Sequence, residues 1–174
     1  GDGRLMDRPL NQYDSRDMGA VGRHIDEARS AGVDAFIMSW YGPGNWVNDV
    51  FNGLLDQSAG RGFRAAVSVD MGAEFLTSTG DVVNALNYVL GDRANHPAYL
   101  RYNGKPVIYF WNQGRFSVGD WQSIRNQVDP GPTCAVYSLH ATKPLAAGEG
   151  GFVVTRSESF ASAIRQLSNF GINL

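Results

Sequence analysis

The sequence is short of most features that announce a particular chemistry. Its 174 residues hold one cysteine, Cys134, so no internal disulfide can form. Cys134 lies in the apolar run CAVYSL, where a buried inert thiol fits better than a nucleophile. Charge is scarce too, at 18% Asp, Glu, Lys and Arg with a formal net charge of −2. The arginines are dispersed, whereas a nucleic-acid partner would call for clustered Lys and Arg. No apolar run approaches the length of a membrane span. The opening GDGRLMDRPL lacks the basic start and apolar core of a signal peptide. No apolar run is followed by GxGxxG or GxxxxGK, which excludes the glycine-rich phosphate loops of nucleotide sites. A GxSxG elbow is also missing, and with it the commonest esterase and peptidase arrangement. The three histidines, His24, His96 and His140, have no His or Cys at ligand spacing, so neither a metal nor any other cofactor is expected.

What the chain does have is 43% hydrophobic content, 21 glycines set between periodic segments, and a recurring local grammar. The stretch HIDEARSAGVDAFIMSWYGPG, His24 to Gly44, reads as a helix, a turn, a buried strand and an aromatic, glycine-rich loop at the strand's C-terminal end. The pattern returns as GRGFRAAVSVDMGAEF, as NGKPVIYFWNQGRF, as TCAVYSLH and more weakly as GFVVTRSES. Helices are predicted from Asp17 to Ala31, Val47 to Ser58, Asp81 to Leu90, Trp121 to Val128 and Glu158 to Asn169, with Ser78 or Thr79 and Ser157 as candidate caps. Strands are predicted from Asp34 to Trp40, Arg64 to Asp70, Pro106 to Trp111, Thr133 to Leu139 and Phe152 to Thr155, with Asn103-Gly104 as a turn. The alternation predicts one α/β domain over 1–174 with a parallel sheet of about five strands, preceded by an irregular segment over 1–14. Two architectures fit: a partial or shortened (β/α) barrel of TIM type, and an open doubly wound parallel sheet. A closed eight-stranded barrel needs about 250 residues, so length by itself favours the open sheet.

Three runs carry a resemblance: PLNQYDSRDMGAVGRHIDEARSAGVDAFIMSWYGPG, LLDQSAGRGFRAAVSVD and NALNYVLGDRANHPAYLRYNGKPVIYFW. Together they resemble glycoside hydrolase family 99 and its relatives in family 71, which act on α-linked polysaccharides. In that family an AGID turn, an SWWGPG loop and an HPAYxRxxGKPVxYxW segment follow one another in the early half of a barrel. The resemblance spans Pro9 to Trp111 and implies a partial barrel, a polysaccharide or oligosaccharide partner and an extracellular or periplasmic setting. It also implies that Trp40 and Tyr41 line a sugar subsite, with Asp70 and Trp111 facing the same cleft. The family's catalytic carboxylates lie late in the barrel in a segment resembling NEWxEG, and this sequence has no Glu-x-x-Glu. The first strand of the barrel has no counterpart either, so the chain reads as a piece of a larger barrel or as a shortened relative.

Glycoside hydrolysis uses two carboxylates about 5 to 10 Å apart. Asp70, at the end of AAVSVD, and Glu74, four residues on, are the pair that one loop could bring together, and they are the catalytic candidates. Asp49 and Glu158 read as first-turn helix acids and Glu149 as a loop acid. Sugars present flat C–H faces and many hydroxyls, so their sites combine aromatic platforms with amide and carboxylate groups. Trp40, Tyr41, Trp46, Trp111 and Asn112 are the binding candidates on that ground, with His140 at a strand end as another. Period-2 alternation puts Tyr109 and Trp111 on one face and Phe110 with Asn112 on the other. Three functions remain open: a hydrolase of α-mannan or α-glucan type, a carbohydrate-binding relative without a catalytic half, and a structural α/β domain that forms a homo-oligomer to cover an open sheet edge.

Overall fold

The computed structural model describes residues 12–72, 74, 76–130 and 135–138. Helix α1 (Met18–Ser30) begins where the Asp17 carboxylate accepts the Gly19 N–H at 2.8 Å, and it buries Ala20, Gly22 and Ile25. It stops at Gly32, whose φ of 85° turns the chain so that the Val33 N–H closes onto Ala28 O. Strand β1 (Ala35–Trp40) follows, then α2 (Trp46–Ala59) capped by Asn45, and β2 (Arg64–Asp70). Helix α3 (Thr79–Gly91) opens with a reciprocal Ser78–Asp81 capping box. A 3-10 turn at Arg93–Asn95 leads to the hairpin of β3 (Arg101–Tyr102) and β4 (Lys105–Trp111). Asn103 and Gly104 both have positive φ, 49° and 77°, as a two-residue hairpin turn with right-handed twist requires. Helix α4 (Val118–Val128) and strand β5 (Ala135–Ser138) complete the described elements.

Strands β1, β2, β4 and β5 are parallel and lie side by side in chain order. That succession decides between the two architectures. A doubly wound sheet reverses its strand order and covers both faces with helices, whereas right-handed crossovers between successive neighbours send every helix to one face, as in a barrel wall. Registers run Ser39–Ser68–Tyr109–Tyr137 along one row and Trp40–Val69–Phe110–Ser138 along the next. Trp40, Val69 and Phe110 of the second row face the helices: Trp40 stacks on Tyr88 of α3, and Phe110 meets Trp121 of α4 edge-on with centroids 5.0 Å apart. Phe51 and Leu55 of α2, Val82 and Val89 of α3 and Ile124 of α4 join Val67, Val69 and Ile108 in the core between the layers. Ser68 starts the direct β2–β4 pairing, because before it Ala98–Leu100 bonds to Ala65 and also to Val107.

Most elements fall where the sequence places them, with differences at the ends. Helix α4 starts at Val118, three residues ahead of the predicted Trp121, because Ser117 and Asp120 form a second capping box. Lys105 rather than Pro106 opens β4, and Arg101–Tyr102 adds a short antiparallel strand ahead of the Asn103–Gly104 turn. The predicted strand at Phe152–Thr155 and helix at Glu158–Asn169 lie outside the described residues. Among the described residues no helix is long and apolar enough to cross a membrane.

Candidate functional site

The first row of the sheet, of Ser39, Ser68 and Tyr109, faces away from the helix-packed core, and Asp70 and Trp111 extend it at the strands' C-terminal ends. Asp70 and Trp111 stand directly opposite each other in the β2–β4 register. Trp111 is 39% exposed and Asp70 half-buried, so an indole face and a carboxylate open at the same edge of the sheet. The Asp70 Oδ1 accepts the Gly72 N–H at 2.8 Å, an Asx turn that fixes the carboxylate against its own loop. Among the described residues the Oδ2 makes no hydrogen bond.

Asn112 joins this pair in a way that strand parity misses. Its φ of 57° and ψ of 42° are left-handed, so alternation ends at Trp111 and the chain turns sharply into the 3-10 turn Gln113–Arg115. A methyl group added at Gly72 would lie 3.1 Å from Asp70 Oδ1 and 3.9 Å from Asn112 Nδ2, which places both polar groups around the same glycine. Asparagine tolerates the left-handed region better than other non-glycine residues, and such outliers concentrate at functional sites. Arg115, which the sequence reading passes over, donates from Nη1 to the Met71 carbonyl at 3.1 Å. The Met71 N–H in turn donates to Trp111 O at 3.0 Å.

The other candidates are placed differently. Trp40 is fully buried on the helix side of β1, where its Nε1–H donates to Asn48 Oδ1 at 3.2 Å. Asn48 Nδ2 donates onward to the Tyr88 hydroxyl at 3.0 Å, which also receives the Arg93 Nε–H at 3.1 Å. Trp40 is thus held inside the scaffold beneath the WYGPG loop and has no exposed surface. Tyr41, one residue on, is half-buried beside Gly42, whose φ of 112° bends the loop away from the strand. Trp46 opens α2 and is 56% exposed, an aromatic surface on the same loop. Glu74 is exposed in the turn after β2 and makes no hydrogen bond or ion pair among the described residues. His140, Cys134, Glu149 and Glu158 lie outside the described residues. His96 bonds to the Ala98 N–H through Nδ1 and faces Asp56 across 3.3 Å, and His24 packs edge-on against Tyr13, so both are engaged away from the strand ends. Among the described residues no three His, Cys, Asp or Glu side chains gather as a metal site would need.

Asp70, Trp111 and Asn112 together present a flat apolar face with an acceptor and an amide beside it. The Glycosyl hydrolase family 99 profile matches residues 6–134. A second profile, of the DegT/DnrJ/EryC1/StrS aminotransferase family, matches residues 125–174, most of which lie outside the described residues. The chain is 28% identical over 167 residues to a glycoprotein endo-alpha-1,2-mannosidase of Xenopus laevis, covering 82% of this chain and 36% of that protein. It is 25% identical over 134 residues to a glycoprotein endo-alpha-1,2-mannosidase-like protein of Mus musculus, covering 70% of this chain and 29% of that one. The chain therefore spans about a third of the length of the curated relatives it matches. Among solved structures, the GH99 endo-alpha-mannosidase from Bacteroides thetaiotaomicron superposes with a TM-score of 0.61 at 23% identity, covering 75% of this chain and 40% of that one.

Proposed function

The chain belongs to glycosyl hydrolase family 99, and from that premise we propose that the strand-end face carrying Asp70, Trp111 and Asn112 is part of the glycan-binding wall of a glycoside hydrolase acting on α-mannan-type glycans. The observation that carries the reading is the register itself, which sets a half-buried carboxylate opposite an exposed indole at the C-terminal edge of a singly wound parallel sheet. Barrel enzymes place their chemistry at that edge. The names of the relatives point to α-mannosides as the substrate class.

In this reading Trp111 stacks on the C–H face of a mannose unit, and the Asp70 Oδ2 and the Asn112 amide bond to its hydroxyls. Glu74, with its exposed carboxylate on the loop after β2, is the proton-transfer candidate for a reaction through an oxocarbenium-like transition state. Asp70 belongs more to binding than to proton transfer, since one of its oxygens is committed to the Gly72 amide. That commitment favours a second reading, in which this wall binds glycan and contributes no catalytic pair of its own.

The deciding experiment measures binding to α-mannan and release of reducing ends from it, with the unaltered chain, Asp70→Asn, Glu74→Gln and Trp111→Ala in parallel. Release that Glu74→Gln abolishes while binding survives supports the hydrolase. Binding without release, weakened about tenfold by Trp111→Ala, supports the binding wall. Neither binding nor release overturns both.

A further inference from the structure

We infer that Arg115 is a positioning residue of this glycan-binding face, tying the loop after β2 to the loop after β4 so that Asp70 and Trp111 meet a neutral sugar as one surface. The inference deepens the glycan reading and rests on it for the identity of the ligand.

The argument starts from the backbone. Asn112, left-handed at φ 57°, turns the chain out of β4 in a single residue. The 3-10 turn that follows carries Arg115 back across the sheet edge to a residue 44 positions earlier, where its Nη1–H reaches Met71 O. Met71 is thereby gripped through both its peptide groups, its N–H by Trp111 O at the end of β4 and its carbonyl by Arg115 in the turn that follows. Asp70 precedes that gripped residue, and Gly72, whose N–H holds the Asp70 carboxylate, follows it. Movement of one loop against the other therefore shifts the carboxylate relative to the indole.

A guanidinium bound to a main-chain carbonyl of a distant loop has given up much of the freedom that an exposed arginine keeps. Arg115 makes no ion pair with a carboxylate among the described residues, and the bond to Met71 O is the contact it makes there. It also carries five N–H donors, and the bond to Met71 uses one. The remaining donors, with the Asp70 carboxylate and the Asn112 amide, give the donor–acceptor mixture that sugar hydroxyls need.

The test uses the 174-residue chain, with α-1,2-mannobiose as probe, and compares Arg115→Ala and Arg115→Lys with Arg125→Ala, an exposed arginine of α4. Two quantities are read: amide hydrogen exchange at Met71 without sugar, referenced to Val67 in the core of β2, and mannobiose affinity by NMR titration. Loss of Arg115 is expected to speed Met71 exchange and weaken mannobiose binding, each about tenfold, with Val67 and the Arg125→Ala variant unchanged. Lysine can still donate to Met71 O, so Arg115→Lys restores the slow exchange while recovering only part of the affinity. In a Trp111→Ala background, Arg115→Ala should weaken binding far less, because the surface it aligns is already broken. Unchanged Met71 exchange in Arg115→Ala overturns the clamp, and faster exchange with undiminished affinity overturns the positioning role. If the unaltered chain does not bind mannobiose, the glycan reading falls and the exchange result alone judges the clamp.

Discussion

Two asparagines one helical turn apart on α2 should respond to the same substitution in opposite directions. Asn48 is 5% exposed and fully engaged: it accepts the indole N–H of Trp40, which has no exposed surface, and donates to Tyr88. Asn48→Ala leaves the Trp40 donor buried and unpaired, which costs about 1–3 kcal/mol, and removes the bond to Tyr88, worth about 1 kcal/mol. Tyr88 keeps its Arg93 partner, so its hydroxyl is not stranded. Alanine's better helix propensity returns roughly 0.5 kcal/mol, and the net expectation is a loss of about 2 kcal/mol. Asn52 differs because its Oδ1 is buried with no hydrogen-bond partner among the described residues. Asn52→Ala removes that unmet acceptor and gains the same propensity, so stability should stay level or rise by about 1 kcal/mol. Urea denaturation followed by tryptophan fluorescence measures both, with equal m-values as the check that the unfolded states are comparable. A loss below about 0.5 kcal/mol for Asn48→Ala, or an Asn52→Ala variant less stable than Asn48→Ala, would refute the account of the Trp40–Asn48–Tyr88 chain.

Other consequences follow from the turns and caps. Gly104 at φ 77° permits the β3–β4 hairpin turn, so Gly104→Ala should cost about 1 kcal/mol by the same urea titration, and a neutral result would show that the turn relaxes freely. Asp81 and Asp120 each close a capping box, and hydrogen bonds from Ser78 and Ser117 respectively, side chain first and then main chain, hold their carboxyls below the ordinary aspartate value. The sign follows directly. A pKa lowered in the folded state means a contribution present above the unfolded value of about 4 and lost as the pH falls through the folded value. Local opening in the first turns of α3 and α4, read by amide exchange corrected for the intrinsic rate, should therefore become easier as the pH falls below about 4. Asp81→Asn should remove that response in α3 alone, and an α3 turn that still responds would assign the effect to another group.

How much of this was legible in the sequence varies with the range of the interaction involved. The strand alternation and the Asn-Gly turn are local properties, so β2 is found at its own limits and the hairpin turn at its own residues. Ser117 escaped notice as a cap because Val118 and Gly119 are poor helix formers, and the helix they begin is held by the reciprocal bonds to Asp120. Trp40 and Tyr41 look equivalent as neighbours in an aromatic loop. Strand parity sends Trp40 to the helices, and only the position of Asn48 on α2 gives its indole N–H a partner there. Asn112 is assigned by parity to the helix face, but one left-handed residue, which periodicity cannot register, brings its amide to Gly72 beside Asp70.

The sequence by itself determined the α/β alternation, the aromatic and polar residues at the strand ends and the family, because each is written in local patterns or in a motif order that survives without coordinates. Only the tertiary structure decided that the sheet is singly wound, that Asp70 faces Trp111, and that Arg115 reaches Met71. Those outcomes depend on which strands become neighbours and how they align, and a one-residue shift between β2 and β4 would set Asp70 against a residue of the opposite face.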